Sequence, residues 1–195
     1  MNRTLASLHA IAELLLAGPQ YRESGTIRLR VTPGGFGTTE TPALRFDGDR
    51  LVAGERGVAL PGRRYTEVAA ELGFAAGAAD GLYTGGSGVP PDEAIVLEPE
   101  RVSQAVEAFA EGERALRAFA PDRVPVLWPE HFDLGIVLGP VNYGISPGDG
   151  YSPEPYAYVG PHEPRAGEFW NAPFGAARPL RDAAEIVAFF RQAPL

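Results

Sequence analysis

The chain has 195 residues, 45% of them apolar, a formal charge of −8, no cysteine, and 17 basic residues that are all arginine. Length and apolar content suit one domain, or two small halves sharing a core. The missing cysteines exclude disulfides, thiol nucleophiles and cysteine-ligated metals, and the missing lysines exclude Schiff-base chemistry and pyridoxal phosphate attachment. An acidic chain with no basic run argues against nucleic acid and anionic membranes as partners.

The first element is a helix from about Leu5 to Leu16, with Leu5, Leu8, Ile11, Ala12, Leu15 and Leu16 on one face and Asn2 or Thr4 as its cap. Gly18-Pro19 is expected to stop it. It is too short to span a bilayer and lacks the basic flank and cleavage signal of a leader peptide, so a cytoplasmic protein is expected. A period-two strand covers Thr26 to Thr32, followed by a Pro33-Gly34-Gly35 turn and a strand from Phe36 to Thr41. Ala43–Phe46 and Leu51–Ala53 read as a hairpin, Val58–Leu60 as an edge strand, and Glu67–Leu72 as a helix ending at Gly73.

Residues 76–98, rich in Gly, Ala and Pro, read as a connection between an N-terminal half, 1–75, and a C-terminal half, 99–195. Pro99 to Phe119 is a long amphipathic helix with Pro at its first position. Strands are expected at Phe132–Leu138, Val141–Ile145, Pro155–Val159 and Glu168–Asn171. The last helix, Ala183–Arg191, opens on an Asp182…Glu185 capping box. The expected fold is α+β, with antiparallel sheets in two similar helix–strands–helix halves packed as one unit. Pro33, Phe36 and Gly37 align with Pro140, Tyr143 and Gly144, which suggests an internal duplication.

A set of short motifs runs through both halves. In the first they are Leu8-His9, Thr32-Pro33, Gly37-Thr38-Thr39 and Phe46-Asp47. In the second they are Trp128-Pro129, Phe132-Asp133-Leu134, Asn142-Tyr143-Gly144, Ser146-Pro147-Gly148-Asp149 and Pro153-Glu154-Pro155-Tyr156. In these the chain resembles a mainly actinobacterial family of uncharacterised proteins, a domain of unknown function, although it is shorter around the first turn and the connection. The resemblance implies one folding unit and supplies no activity, cofactor or catalytic residue.

Chemistry-bearing side chains concentrate between Val126 and Glu163. Trp128, His131, Asp133, Tyr143, Asp149, Glu154, Tyr156 and Tyr158 form the candidate ligand site, because aromatic rings with polar tips and a few carboxylates are what small-molecule pockets use. Asp149 and Glu154 could bind a hydroxyl or amine or share acid/base work, and turn chemistry also accounts for them. Glu130, His131, Asp133 and His162 form a candidate metal set of nitrogen and oxygen ligands without a recognised metal-binding spacing. Arg28, Arg30 and Arg45 could hold an anion or simply face solvent. The reading is therefore a small-molecule or partner-binding domain. One alternative is a metal-dependent or acid/base enzyme using His131, Asp133 and nearby carboxylates. A second is a homodimeric interaction protein.

Overall fold

The computed structural model describes residues 2–194. Ten strands form one antiparallel sheet: β1 (Leu29–Thr32), β2 (Gly35–Thr38), β3 (Leu44–Asp47), β4 (Arg50–Ala53), β5 (Arg56–Ala59), β6 (Val126–Trp128), β7 (Asp133–Leu138), β8 (Val141–Ser146), β9 (Tyr156–Pro161) and β10 (Ala176–Pro179). Their order is β10-β9-β8-β7-β6-β1-β2-β3-β4-β5, so two five-stranded meanders meet where β1 pairs with β6. The expected α+β class holds, but the halves share one sheet and one continuous core.

Helices pack on one face of this sheet. They are α1 (Arg3–Ala10), a π-helical stretch (Ile11–Ala17), α2 (Gly18–Ser24), α3 (Tyr65–Leu72), α4 (Pro99–Phe119) and α5 (Ala183–Arg191). Phe36 of β2 meets Phe109 of α4, and Tyr143 of β8 meets Phe119 of α4 and Phe190 of α5. Gly112 lets α4 approach the sheet, since a Cβ there would lie 2.4 Å from the Ile145 side chain. Among the described residues, no helix is long and apolar enough to cross a membrane.

The first helix does not stop at Gly18-Pro19; α1, the π stretch and α2 run on as one rod through residue 24. A proline ring normally collides with the carbonyl four residues back, and a wider π turn relieves that collision. In the π register the missing Pro19 N–H leaves Leu14 O without an intrahelical donor, and Gly77 N donates to it at 3.0 Å. That approach requires Gly18, whose Cβ would fall 1.7 Å from Gly77 O.

The 76–98 connection is accordingly a strap rather than a free linker. Glu13, buried in the π stretch, accepts from Tyr83 OH at 3.0 Å, Ser87 N at 2.9 Å and Ser87 Oγ at 2.6 Å. Ser7 Oγ accepts from Val96 N, Thr4 Oγ1 accepts from Glu98 N, and Ile95 is buried in the core.

Three strand expectations need correction. β1 begins at Leu29 because buried Gln20 already holds the carbonyls of Thr26 and Arg28 through Nε2, each at 2.9 Å, leaving them no role in a ladder. The last strand is Ala176–Pro179, not Glu168–Asn171; the Asn171 amide bonds Ala177 N and O, a side chain standing where a strand neighbour would. The short β6 has no counterpart among the expected strands, yet it joins the two meanders.

Candidate functional site

Residues directly opposite one another in an antiparallel ladder share a face. The pairs Leu134↔Ile145 and Ile136↔Tyr143 therefore place these four side chains toward the helices. The alternate set, Trp128, Asp133, Gly135, Asn142, Gly144, Ser146, Tyr156, Tyr158 and Gly160, lies on the helix-free face. Two adjoining cavities open there. One, about 500 Å³, is lined by His131, Asp133, Asn142, Ser146, Asp149, Tyr156, Tyr158, His162 and Phe174 among others. The second, about 250 Å³, is lined by Trp128, Glu130, His131, Asp133, Asn142 and Tyr158 with the strand residues beneath them.

The floor of the cleft rests on two glycines. Gly135, Gly144 and Tyr158 stand opposite one another across β7, β8 and β9. A Cβ at Gly144 would lie 2.5 Å from Cζ and OH of Tyr158, and one at Gly135 would lie 3.4 Å from that hydroxyl. The tyrosine ring thus lies flat across two strands and donates its O–H to Asp133 Oδ2. Any larger residue at position 144 would lift the ring and break that reach.

Asp133 is placed by the turn before it. Phe132 adopts φ 53°, left-handed backbone that a bulky residue occupies at a cost of about 1–3 kcal/mol. Its buried ring meets Phe109 and Phe36 edge-on and stacks on His9, which fixes the turn. His9 bonds Pro129 O at 2.7 Å through Nε2. A carbonyl can only accept, so Nε2 carries a proton, and burial lowers the imidazole pKa. With Phe132 held inward, Asp133 falls on the open face.

The electrostatics of the cleft centre on Asp133, where the His131 and Glu130 charges act in opposite directions. Burial raises the Asp133 carboxyl to about 6, against the opposing pull of the Tyr158 hydrogen bond. Burial, and then the Asp133 charge, pushes the Tyr158 phenol well above its ordinary value. Asp133 Oδ1 and Glu130 Oε2 are both shut off from solvent, and neither has a hydrogen-bond partner. No arginine lines either cavity. Arg28, just before β1, sits 5.8 Å from the Trp128 ring centre, and β6, which carries Trp128, separates β1 from the β7 strand of Asp133.

Asp149 is differently used. Its Oδ1 accepts from the backbone N of Tyr151 and Ser152 at 2.8 and 3.2 Å, as an Asx turn does, while Oδ2 accepts from Tyr156 OH at 2.7 Å. It is a satisfied anchor that orients Tyr156. Phe174 packs on Tyr151, Tyr156 and Tyr158 and walls the cleft.

Of the residues singled out from sequence, Trp128, His131, Asp133, Asp149, Tyr156 and Tyr158 line this cleft. Tyr143 does not; strand alternation turns it into the core between Phe119 and Phe190. Glu154 points away, bonding Gln104 and Arg101 at 2.6 and 3.1 Å on the helix side, beside a separate hollow of about 700 Å³. Those two bonds hold its carboxyl below the usual value. Glu130, His131, Asp133 and His162 all border the cleft, yet among the described residues no three His, Asp or Glu side chains converge as a metal-holding group. His9, Phe132, Gly135, Gly144 and Phe174 were not read as site residues from sequence. The left-handed turn and the glycine pair leave no sequence signal distinct from ordinary loop and strand composition.

Comparison of the chain with protein-family models, curated proteins and solved structures finds no match in any of the three.

Proposed function

We propose that this chain is a small-molecule-binding domain whose site is the cleft on the helix-free face. The observation that carries the reading is Asp133. One carboxylate oxygen is held by Tyr158, and the other is buried and unbonded beside cavities of about 500 and 250 Å³. A buried polar atom without a partner costs about 1–3 kcal/mol, and binding sites are where such costs are kept. The test is thermal unfolding against a metabolite panel. A cleft ligand at 100 times its Kd stabilises by about 2.7 kcal/mol, and that gain should shrink in Tyr158→Phe and Phe174→Ala. A silent panel, or a gain untouched by both variants, would refute the reading.

Acid/base catalysis is the second reading, because a carboxyl raised to about 6 can exchange protons near neutral pH. Turnover of a cleft ligand, abolished in Asp133→Asn, would put it first. The face could instead pair with a second copy, since Val137 and Tyr151 stand exposed on it; a mass that rises with protein concentration would support that. The family resemblance expected from the sequence adds no activity to any of these.

The duplication is a separate proposal. Each half reads helix, five strands, helix. The local match of Phe36 with Tyr143 sets β2 against β8, whereas a two-fold between β1 and β6 sets β2 against β7, so the two lines of support are one strand out of step. A tandem of two copies of residues 99–195 should fold with one unfolding transition; an aggregated tandem would speak against common descent of the halves.

A further inference from the structure

We infer that the ligand of this cleft is an organic cation bearing N–H donors, a primary ammonium or a guanidinium group, received between Glu130 and Asp133. The inference rests on the small-molecule reading and names its chemical class.

The two unpaired buried oxygens in the cleft are both carboxylate oxygens, Glu130 Oε2 and Asp133 Oδ1, and both residues line the smaller cavity. Carboxylates only accept when ionised, so what each lacks is a donor. The protein gives neither oxygen one: His131 and Asn142 line the cavities without bonding either, no arginine lines them, and the chain has no lysine. The Arg28 guanidinium lies over the Trp128 ring. The one hydroxyl that reaches the pair, Tyr158 OH, is spent on Asp133 Oδ2. Behind burial, and against the Tyr158 hydrogen bond and the His131 charge, the Glu130 charge also disfavours ionisation of Asp133. A ligand cation removes that repulsion and gives each orphan oxygen a charge-assisted hydrogen bond. Trp128 and Tyr158 add ring surface suited to a cation and to the carbon chain behind it. An anion would meet two carboxylates and no arginine or lysine, and a neutral hydroxyl would leave the repulsion in place.

The probes are putrescine and methylguanidine at pH 7.5, with 1,4-butanediol as the neutral match for putrescine and tetramethylammonium as a cation without N–H donors. Binding is followed by amide chemical shifts of the full chain, reading residues 130–135, 142 and 158. Saturable shifts at these positions are expected with putrescine or methylguanidine and not with the diol or tetramethylammonium. Glu130→Gln and Asp133→Asn should each weaken the amine about tenfold or more. Both variants are checked for native amide dispersion. If Glu130→Gln does not fold, Asp133→Asn, isosteric and relieved of a buried charge, decides alone. Equal binding of the diol, or amine binding indifferent to the foldable variants, overturns the inference. Amines silent while a neutral or anionic metabolite shifts the cleft overturns the cation class and leaves the cleft reading standing. Silence of every compound overturns both.

Discussion

Replacing Asp133 by Asn isolates the energetic cost of the candidate site. The carboxyl is raised from 3.8 to about 6 in the folded protein, chiefly by burial. At 1.36 kcal/mol per unit, about two units correspond to about 3 kcal/mol. The sign follows from proton counting. Between pH about 4 and 6 the folded state holds the Asp133 proton and the unfolded state does not, so stability falls as pH rises through that window. Above pH 6 both states are ionised and the full cost is present. Asn carries no charge, and its amide oxygen still accepts the Tyr158 O–H. Asp133→Asn should therefore match the parent at pH 4 and exceed it by about 1–3 kcal/mol at pH 7.5, the lower bound allowing for the weaker neutral hydrogen bond. Buried His9 works in the opposite direction, since its lowered pKa makes stability fall as pH drops below about 6.5. Only the difference between variant and parent is diagnostic for this reason. Urea unfolding at pH 4, 6 and 7.5 reads it as a midpoint gap that grows with pH to about 1 M. A gap that stays flat across the three pH values, or an Asn variant weaker than the parent at pH 7.5, would show that Asp133 carries no desolvation cost and that the argument for a site held at a stability penalty is wrong.

Three further outcomes follow from the geometry. Gly144→Ala puts a methyl 2.5 Å from the Tyr158 ring and 2.7 Å from Leu134 O; overpacking should cost about 1–3 kcal/mol, and near-ultraviolet tyrosine dichroism should change, whereas an unaltered spectrum would mean that the ring does not lie on this glycine. Glu13→Ala strands Tyr83 OH and the Ser87 donors. A loss of about 3 kcal/mol and faster amide exchange over residues 77–89 are expected, and unchanged exchange there would refute the pinning of the strap. Tyr143→Ala should cost about 3–5 kcal/mol as a core truncation while leaving cleft ligand affinity unchanged; a selective affinity loss in the folded variant would return Tyr143 to the site.

Local chemistry made several elements legible without any tertiary information. Pro99 at the first position and an apolar stripe over 21 residues located α4 at its observed ends, and Asp182, which accepts from Glu185 N at 3.0 Å, did the same for α5. Gly73, at φ 89°, closes α3 as its composition implied. These signals act within one or two helical turns, so a linear reading captures them. Composition likewise determined which chemistries are closed to this chain, those that need a thiol or a lysine amine.

Long-range partners decided the rest. Period-two alternation tells which strand residues share a face, but not which face the helices cover; that choice sent Tyr143 inward and Tyr158 outward from adjacent strands. Gly18-Pro19 reads as a stop, yet Gly77 N, fifty-eight residues beyond Pro19, supplies the bond that the proline cannot and the helix continues. Glu13 is a carboxylate inside an apolar helix, and only the arriving strap gives it partners. The candidate site depends on the same kind of contact. Asp133, Gly135, Gly144 and Tyr158 become one unit only when β7, β8 and β9 align in register, because hydrogen bonds across a sheet join residues that no local pattern connects.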